Sequence, residues 1–201
     1  MRLKLKLLIL LITFASIAWT GTVWAENRCE GHNLLSVPRP EGSCQTILAK
    51  IYPSPDKKTR AIVFPADVSL NATPDLESRA VMRSAGGDTL NSVDHSSPRG
   101  TNGYYVDHAQ WSPDSQFFAY NLVSSGGHSP WQHPITIYSV QHNRFATFSD
   151  LIGGGPVLSE TFQFEGAHEL TASTWKREGA PDDPVPVNVD LAAAFNKLKP
   201  N

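Results

Sequence analysis

The sequence predicts a mainly β fold of antiparallel hairpins, arranged as a meander, propeller-blade-like or sandwich, with one short C-terminal α-helix. Two observations favour strands: a Ser-Pro-Asp turn occurs twice, at Ser54 and Ser112, and each leads into an apolar run. The 15 prolines are scattered along the chain after residue 25, which excludes long helices. Helical spacing of apolar residues is confined to the C-terminus.

The first 25 residues have the pattern of a secretory signal peptide. Basic residues at 2, 4 and 6 precede an apolar run over 7–19, and Val23-Trp24-Ala25 places small residues at the −3 and −1 positions. We expect cleavage after Ala25 and a mature domain over residues 26–201 that is periplasmic or secreted. An uncleaved anchor is the alternative. The residue after the site is not cysteine, so a lipoprotein anchor is not expected.

The two cysteines, Cys29 and Cys44, are expected to form a disulfide in an exported protein. The bond would close a short loop near the mature N-terminus and contribute about 3 kcal/mol on the chain-entropy model. A redox or metal-binding pair is the weaker alternative, because the chain has no Cys-x-x-Cys motif.

The first predicted hairpin starts at Ser54. Its strands are Arg60–Phe64 and Arg79–Arg83, and a long loop is expected over Ser84–Gly103, which is rich in Gly, Ser and Asp.

The second predicted unit starts at Trp111 and has the clearest pattern. The strand Phe117–Val123 is joined by the loop Gly126–Pro134 to the strand Ile135–Val140, where side chains alternate in polarity. A short third strand is expected at Phe145–Phe148.

The third unit is degenerate. An aromatic segment, Phe162–Ala167, leads into strands predicted at Thr171–Lys176 and Val185–Val189. A helix over 190–199 follows, with Asp190 as its N-cap and Leu191, Ala194, Phe195 and Leu198 on one face.

The segment Trp111–Asp150 resembles a WD40-like β-propeller repeat of the TolB type. In that family a Ser-Pro-Asp-Gly turn leads into a strand ending in Ala-Phe or Ala-Tyr, and an Ile-Tyr strand follows a glycine hairpin. Ala119-Tyr120 and Ile137-Tyr138 match, whereas Ser115 replaces the glycine. The resemblance implies an interaction platform without catalytic residues. A closed propeller has about four to eight blades, so two or three units favour a meander or sandwich.

Charge excludes several classes of partner. The first 25 residues carry three of the 17 basic residues and no acidic residue, which leaves 14 basic and 19 acidic residues and a net charge of −5. A mildly acidic chain without basic clusters is unsuited to nucleic acids or anionic membrane surfaces. No membrane span is expected after signal cleavage.

Candidate binding residues cluster around the loop Gly126–Pro134 and a turn expected at Gly103–Asp107. A loop tryptophan can anchor a partner, and aromatic or imidazole groups beside it can extend the contact. The candidates are Trp131, His128, His133, Tyr104 and Tyr105. The predicted function is therefore an exported, non-catalytic protein that binds a protein or a cell-envelope component.

A metal-binding protein or metal-dependent hydrolase is the alternative function. Zinc takes three or four N, O or S ligands, and imidazoles are common among them. The candidate ligands are His95, His108, His128 and His133. No Gly-x-Ser-x-Gly elbow or phosphate-binding loop is present, and the sequence predicts no cofactor.

Overall fold

The computed structural model describes residues 34–38, 44–67, 77–100, 102–126, 133–154, 157–175 and 184–199. The predicted signal peptide and Cys29 lie outside these residues, so the processing site and the disulfide stay predictions. Cys44 begins a strand. In the described part of the chain no helix is long and apolar enough to cross a membrane.

The structure is mainly β, which confirms the predicted fold class. The strands form four antiparallel sheets. An N-terminal hairpin contains β1 (Leu34–Pro38) and β2 (Cys44–Leu48). The first sheet is a meander of β3 (Lys50–Pro53), β4 (Thr59–Pro65), β5 (Ser78–Ser84) and β6 (Thr89–Asp94).

The second sheet is also a four-stranded meander. It contains β7 (Tyr104–Trp111), β8 (Phe117–Ser124), β9 (Ile135–Ser139) and β10 (Arg144–Thr147), and a one-turn helix, α1 (Phe148–Leu151), follows. The third sheet contains β11 (Val157–Glu165), β12 (Glu169–Trp175) and β13 (Pro184–Asp190). Helix α2 (Leu191–Lys197) follows β13.

The second sheet is buried on both faces. Successive side chains of β8 point to opposite faces because the period of a strand is two residues. Phe118, Tyr120 and Leu122 pack with residues of the first sheet such as Ala61 and Met82. The other face packs against the third sheet and α2 in a second cluster: Phe117, Ala119, Ile135, Ile137, Ala146, Phe148, Phe162, Leu170, Ala172, Leu191 and Phe195.

The two Ser-Pro-Asp turns have the same hydrogen bonds. Ser112 Oγ donates to Asp114 Oδ1 at 2.6 Å and accepts from the backbone N–H of Phe117 at 2.9 Å. In the earlier turn, Ser54 Oγ donates to Asp56 Oδ1 at 2.7 Å and accepts from the backbone N–H of Thr59, the first residue of β4, at 3.1 Å. Each turn therefore satisfies its own backbone and delivers the chain directly into a strand.

The residue that follows the aspartate of each turn lies in the left-handed region, at the position where the WD40-like pattern has glycine. Ser115 has a φ of 64° and Lys57 a φ of 60°, in the region that glycine adopts most easily. Ser115 also accepts a hydrogen bond at 3.0 Å from the backbone N–H of Asp56, which joins the turns of the first and second sheets. The departure from glycine thus provides a contact between sheets.

Trp111 packs in the core. Its side chain is buried, and its indole N–H donates to the backbone carbonyl of Tyr52 at 2.8 Å. This bond ties β7 of the second sheet to β3 of the first. A buried tryptophan N–H needs such a partner, since desolvation without one is costly.

Three local predictions were wrong. The expected loop Ser84–Gly103 contains β6, which pairs with the edge of β5 although its own sequence is weakly apolar. Within the expected turn Gly103–Asp107, every residue after Gly103 belongs to β7. Phe148 begins α1 rather than ending a strand, because Thr147 and Asp150 form a capping box.

The C-terminal helix is confirmed and is slightly shorter than 190–199. Asp190 is the N-cap, and its carboxylate accepts from the backbone N–H of Ala193. Leu191 and Phe195 are buried, and the Phe195 ring lies 5.7 Å from the ring of Phe117. The helix therefore closes one end of the core between the second and third sheets.

Candidate functional site

The candidate site lies at the end of the first and second sheets where β5 and β7 begin and β8 ends. Tyr104 and Tyr105, both predicted binding residues, are half-buried at the start of β7. They pair in register with Ser124 and Val123 at the end of β8. Because the predicted binding loop starts directly after β8, the tyrosines lie beside its origin.

Only part of that loop is described. His128 and Trp131 belong to residues 127–132, which lie outside the described residues. His133 is half-buried directly before β9. The proposed contact between this loop and the tyrosines is therefore a prediction still to be tested.

A buried carboxylate organises this end of the sheets. Glu77, directly before β5, is 4% exposed. Its Oε1 accepts hydrogen bonds from Ser97 Oγ at 2.9 Å, from Ser125 Oγ at 3.0 Å and from the backbone N–H of Gly103, while Oε2 accepts from the backbone N–H of Ser97 at 2.8 Å. One side chain thus connects the start of β5, the segment before β7 and the end of β8.

These hydrogen bonds set the charge state of Glu77. Burial by itself raises the pKa of this carboxyl, but the hydrogen bonds from Gly103, Ser97 and Ser125 favour the charged form and lower the pKa below its ordinary value. Glu77 is therefore ionised at neutral pH. Its negative charge strengthens each of the bonds that hold the loops.

Gly103 is required by close packing. A Cβ atom at this position would lie 2.5 Å from the backbone oxygen of His95, 2.7 Å from Cδ of Glu77 and 2.7 Å from the backbone nitrogen of Ser97. These atoms belong to the backbone or to a hydrogen-bonded carboxylate, so displacing them would cost free energy. The absence of a side chain at Gly103 lets Glu77 reach the backbone.

His95 lies next to this network and is held by Tyr120. Its Nε2 is 2.8 Å from the hydroxyl oxygen of Tyr120, and the two rings are arranged edge to face. Burial lowers the pKa of His95 to about 4, although the nearby charge of Asp94 opposes the shift. His95 is therefore neutral at physiological pH and acts as a buried hydrogen-bonding group.

Of the four histidines of the metal hypothesis, the three that the structure describes do not form a shared site. His95 contacts Tyr120 on the face of the second sheet toward the first sheet, whereas the ring of His108 lies 5.0 Å from Phe162 of the third sheet. Within the described ranges, no group of three or more His, Cys, Asp or Glu side chains is placed to hold a metal ion. His128 lies outside them, so the hypothesis stays untested.

A polar cleft of about 560 Å³ opens beside Glu77. It is formed between the end of β4, the start of β5 and the segment that precedes β7. The lining residues are Ala66, Asp67, Glu77, Ser96, Ser97, Pro98, Arg99 and Gly100. This cleft gives the loop end of the molecule a concave, hydrogen-bonding surface next to the start of the segment that leads into β7.

Sequence reasoning did not identify Glu77, Ser97, Gly103 or Ser125. The hydrogen-bonding partners of Glu77 are 20, 26 and 48 residues away along the chain, so no local spacing reveals them. The one available signal was an acidic residue directly before an apolar strand, which is common in β proteins.

Comparisons with known proteins do not assign a family. No protein family and no curated protein matches the sequence. One similar solved structure is that of a candidate conserved lipoprotein from Clostridium novyi NT, with a TM-score of 0.44 and 9% identity over 78% of this chain and 93% of that chain. Similarity of this degree does not define a shared fold, and a fold alone does not define function. The resemblance to a WD40-like repeat is therefore unconfirmed.

Proposed function

We propose that this protein is an exported, non-catalytic β-rich protein that binds a protein or another cell-envelope component through the loops at the Glu77 end. The N-terminal signal pattern supports export. The observation that carries the binding site is the use of one buried carboxylate to fix three chain segments at one end of a rigid scaffold. Binding residues are typically placed on loops that a rigid scaffold positions.

Fixed loops favour binding for an energetic reason. Ordering a mobile loop on association costs free energy, and a loop that is held in advance avoids part of this cost. Glu77 holds the chain directly before Tyr104, at Ser97 and Gly103, and at the origin of the loop that contains Trp131. An aromatic anchor beside two fixed tyrosines would then supply the buried contact area of a binding hot spot.

We also propose that the first and second sheets correspond to two blades of a WD40-like repeat. Each is a four-stranded antiparallel meander, and each contains the same Ser-Pro-Asp turn before its second strand. The sheets pack face to face, as neighbouring blades do. This correspondence supports an interaction role, because the resemblance implies a platform rather than an active site.

Capture from a cell-envelope extract tests the binding proposal. The mature protein, residues 26–201, is used as bait, and each captured protein is identified, purified and measured again for binding. We expect Trp131→Ala and Tyr105→Ala to lose the partner. Lys58→Ala, a change in the exposed turn at the opposite end of the sheets, should retain it. Equal binding by all three variants would refute the proposed surface.

Mass spectrometry of the exported protein tests processing separately. We expect a mature chain that begins at Glu26 and gains the mass of two hydrogens on reduction, as the bond between Cys29 and Cys44 opens. A chain that retains residues 1–25, or that has free thiols before reduction, would contradict this part of the proposal.

A further inference from the structure

Two arginines lie directly opposite each other on the outer face of the first sheet. Arg60 of β4 and Arg83 of β5 form a cross-strand pair. Strand alternation places both on the face opposite to Ala61 and Met82, which pack toward the second sheet. Like charges in directly opposed positions of an antiparallel sheet destabilise it. This pair is therefore unfavourable unless an anion balances its charge.

Neither guanidinium has an anionic partner among the residues that the structure describes. The Nε atoms of Arg60 and Arg83 are both buried without a hydrogen-bond acceptor. No ion pair joins either side chain to a described carboxylate. Buried polar atoms are nearly always hydrogen-bonded, so two such donors on facing side chains need an explanation.

The acidic residues of the adjoining turns are bonded within those turns. Asp56 accepts hydrogen bonds from Ser54 Oγ at 2.7 Å and from the backbone N–H of Lys58 at 3.0 Å. Asp88 accepts from the hydroxyl of Ser84 at 3.3 Å. Asp56 also pairs with Lys58, whose Nζ lies 3.8 Å from Asp56 Oδ2, and neither carboxylate forms an ion pair with Arg60 or Arg83.

Arg79, on the same face, shows how this sheet compensates a cation. The residue opposite Arg79 on β6 is Asp94, whose Oδ2 accepts from Arg79 Nε at 3.1 Å. The residue opposite Arg83 on β6 is Thr89, which carries no charge. One arginine of the face thus has a carboxylate supplied by the fold, and the pair does not.

We propose that Arg60 and Arg83 form a binding site for a phosphate group. A guanidinium presents planar N–H donors that match phosphate oxygens in bidentate geometry. Two such groups match the charge of about −1.5 to −2 on a phosphate monoester at neutral pH. Lys57, exposed in the turn before β4, adds positive charge at this end of the sheet, whereas the charge of Lys58 is offset by Asp56, whose Oδ2 lies 3.8 Å from Lys58 Nζ. The site lies at the opposite end of β5 from Glu77 and is independent of the proposed binding loops.

Titration of the mature protein with inorganic phosphate at constant ionic strength tests the site. Calorimetry gives the affinity, and the Nε–Hε signals of the arginines report the location by NMR. We expect Arg60→Gln and Arg83→Gln each to weaken binding about tenfold or more, because each removes charge-assisted hydrogen bonds. Arg79→Gln is the matched control and should bind as the wild type does.

A second arm distinguishes a free phosphate from a lipid headgroup. Vesicles of phosphatidic acid in phosphatidylcholine are compared with phosphatidylcholine alone. Binding in either arm that Arg83→Gln abolishes supports the site and identifies the source.

Should Arg60→Gln fail to fold, Arg60→Lys keeps the charge but loses the planar fork and should still bind more weakly. The absence of saturable binding in both arms, or equal weakening by Arg79→Gln, would overturn the proposal.

Discussion

Replacing Glu77 by glutamine separates the charge of this side chain from its shape. The amide keeps the volume, but one acceptor oxygen becomes a nitrogen that cannot accept from the donors it faces. Hydrogen bonds to a charged group contribute about 1.5–3 kcal/mol, against about 0.5–1.5 kcal/mol between neutral groups. Glu77 accepts four such bonds. A difference of about 1 kcal/mol for each, reduced by solvent in the cleft, predicts a loss of about 3 kcal/mol in unfolding free energy.

Urea and thermal unfolding of Glu77→Gln at pH 7 measure this loss. A decrease of about 3 kcal/mol corresponds to a fall of about 6–12 °C in Tm for a domain of this size. Glu165→Gln changes an exposed carboxylate of β11 and should stay within about 0.5 kcal/mol of the wild type. The reasoning is refuted if Glu77→Gln unfolds at the urea concentration of the wild type with the same denaturant dependence.

The difference between the two proteins should also depend on pH. The pKa of Glu77 is lowered in the folded state, so its charge stabilises the fold above the ordinary pKa of glutamate. That contribution is lost as the pH falls through the folded-state pKa. The stabilities of the wild type and Glu77→Gln should therefore approach each other in acid, and a constant difference would contradict the assignment.

Three further predictions follow from the described contacts. Gly103→Ala should destabilise the protein by about 2–3 kcal/mol in urea unfolding because its Cβ would overlap backbone atoms, whereas Gly86→Ala, whose Cβ meets nothing closer than 3.6 Å, should be close to neutral. Trp111→Phe should lose about 2 kcal/mol, measured in the same way, because the carbonyl of Tyr52 loses its donor. His95 should titrate by NMR near pH 4, and about 3 kcal/mol of stability should disappear between pH 6.5 and 4, since the unfolded state binds the proton more tightly.

The strands that sequence reasoning identified are those with a local cause. Phe117–Ser124 follows a turn that satisfies its own hydrogen bonds, and both this strand and Ile135–Ser139 carry enough apolar residues to be buried. The helix at Leu191–Lys197 was predictable because its cap and its apolar face lie within eight residues. In each case the residues that determine the element are neighbours along the chain.

The elements that were missed depend on distant residues. Thr89–Asp94 forms a strand because β5 offers it an edge to pair with, although its own sequence is weakly apolar. The hydrogen bonds of Glu77 depend on Gly103 and Ser125, which lie directly before β7 and directly after β8 and which the fold brings to it. Arg79 faces a carboxylate and Arg83 does not, because of the register in which β5 pairs with β4 and β6. Local sequence patterns do not define this register.

The layered arrangement of the sheets has a consequence for how the molecule opens. The second sheet packs on both faces, whereas the third sheet exposes Gln163, Pro186 and Asn188 on its outer side. In a stack of layers each sheet is held only by its neighbours, as in repeat proteins. Local opening should therefore start at the outer layers. Amide hydrogens of β8 and β9 should exchange only when the whole domain unfolds. Those of β13 should exchange through a local opening that has a lower free energy than global unfolding.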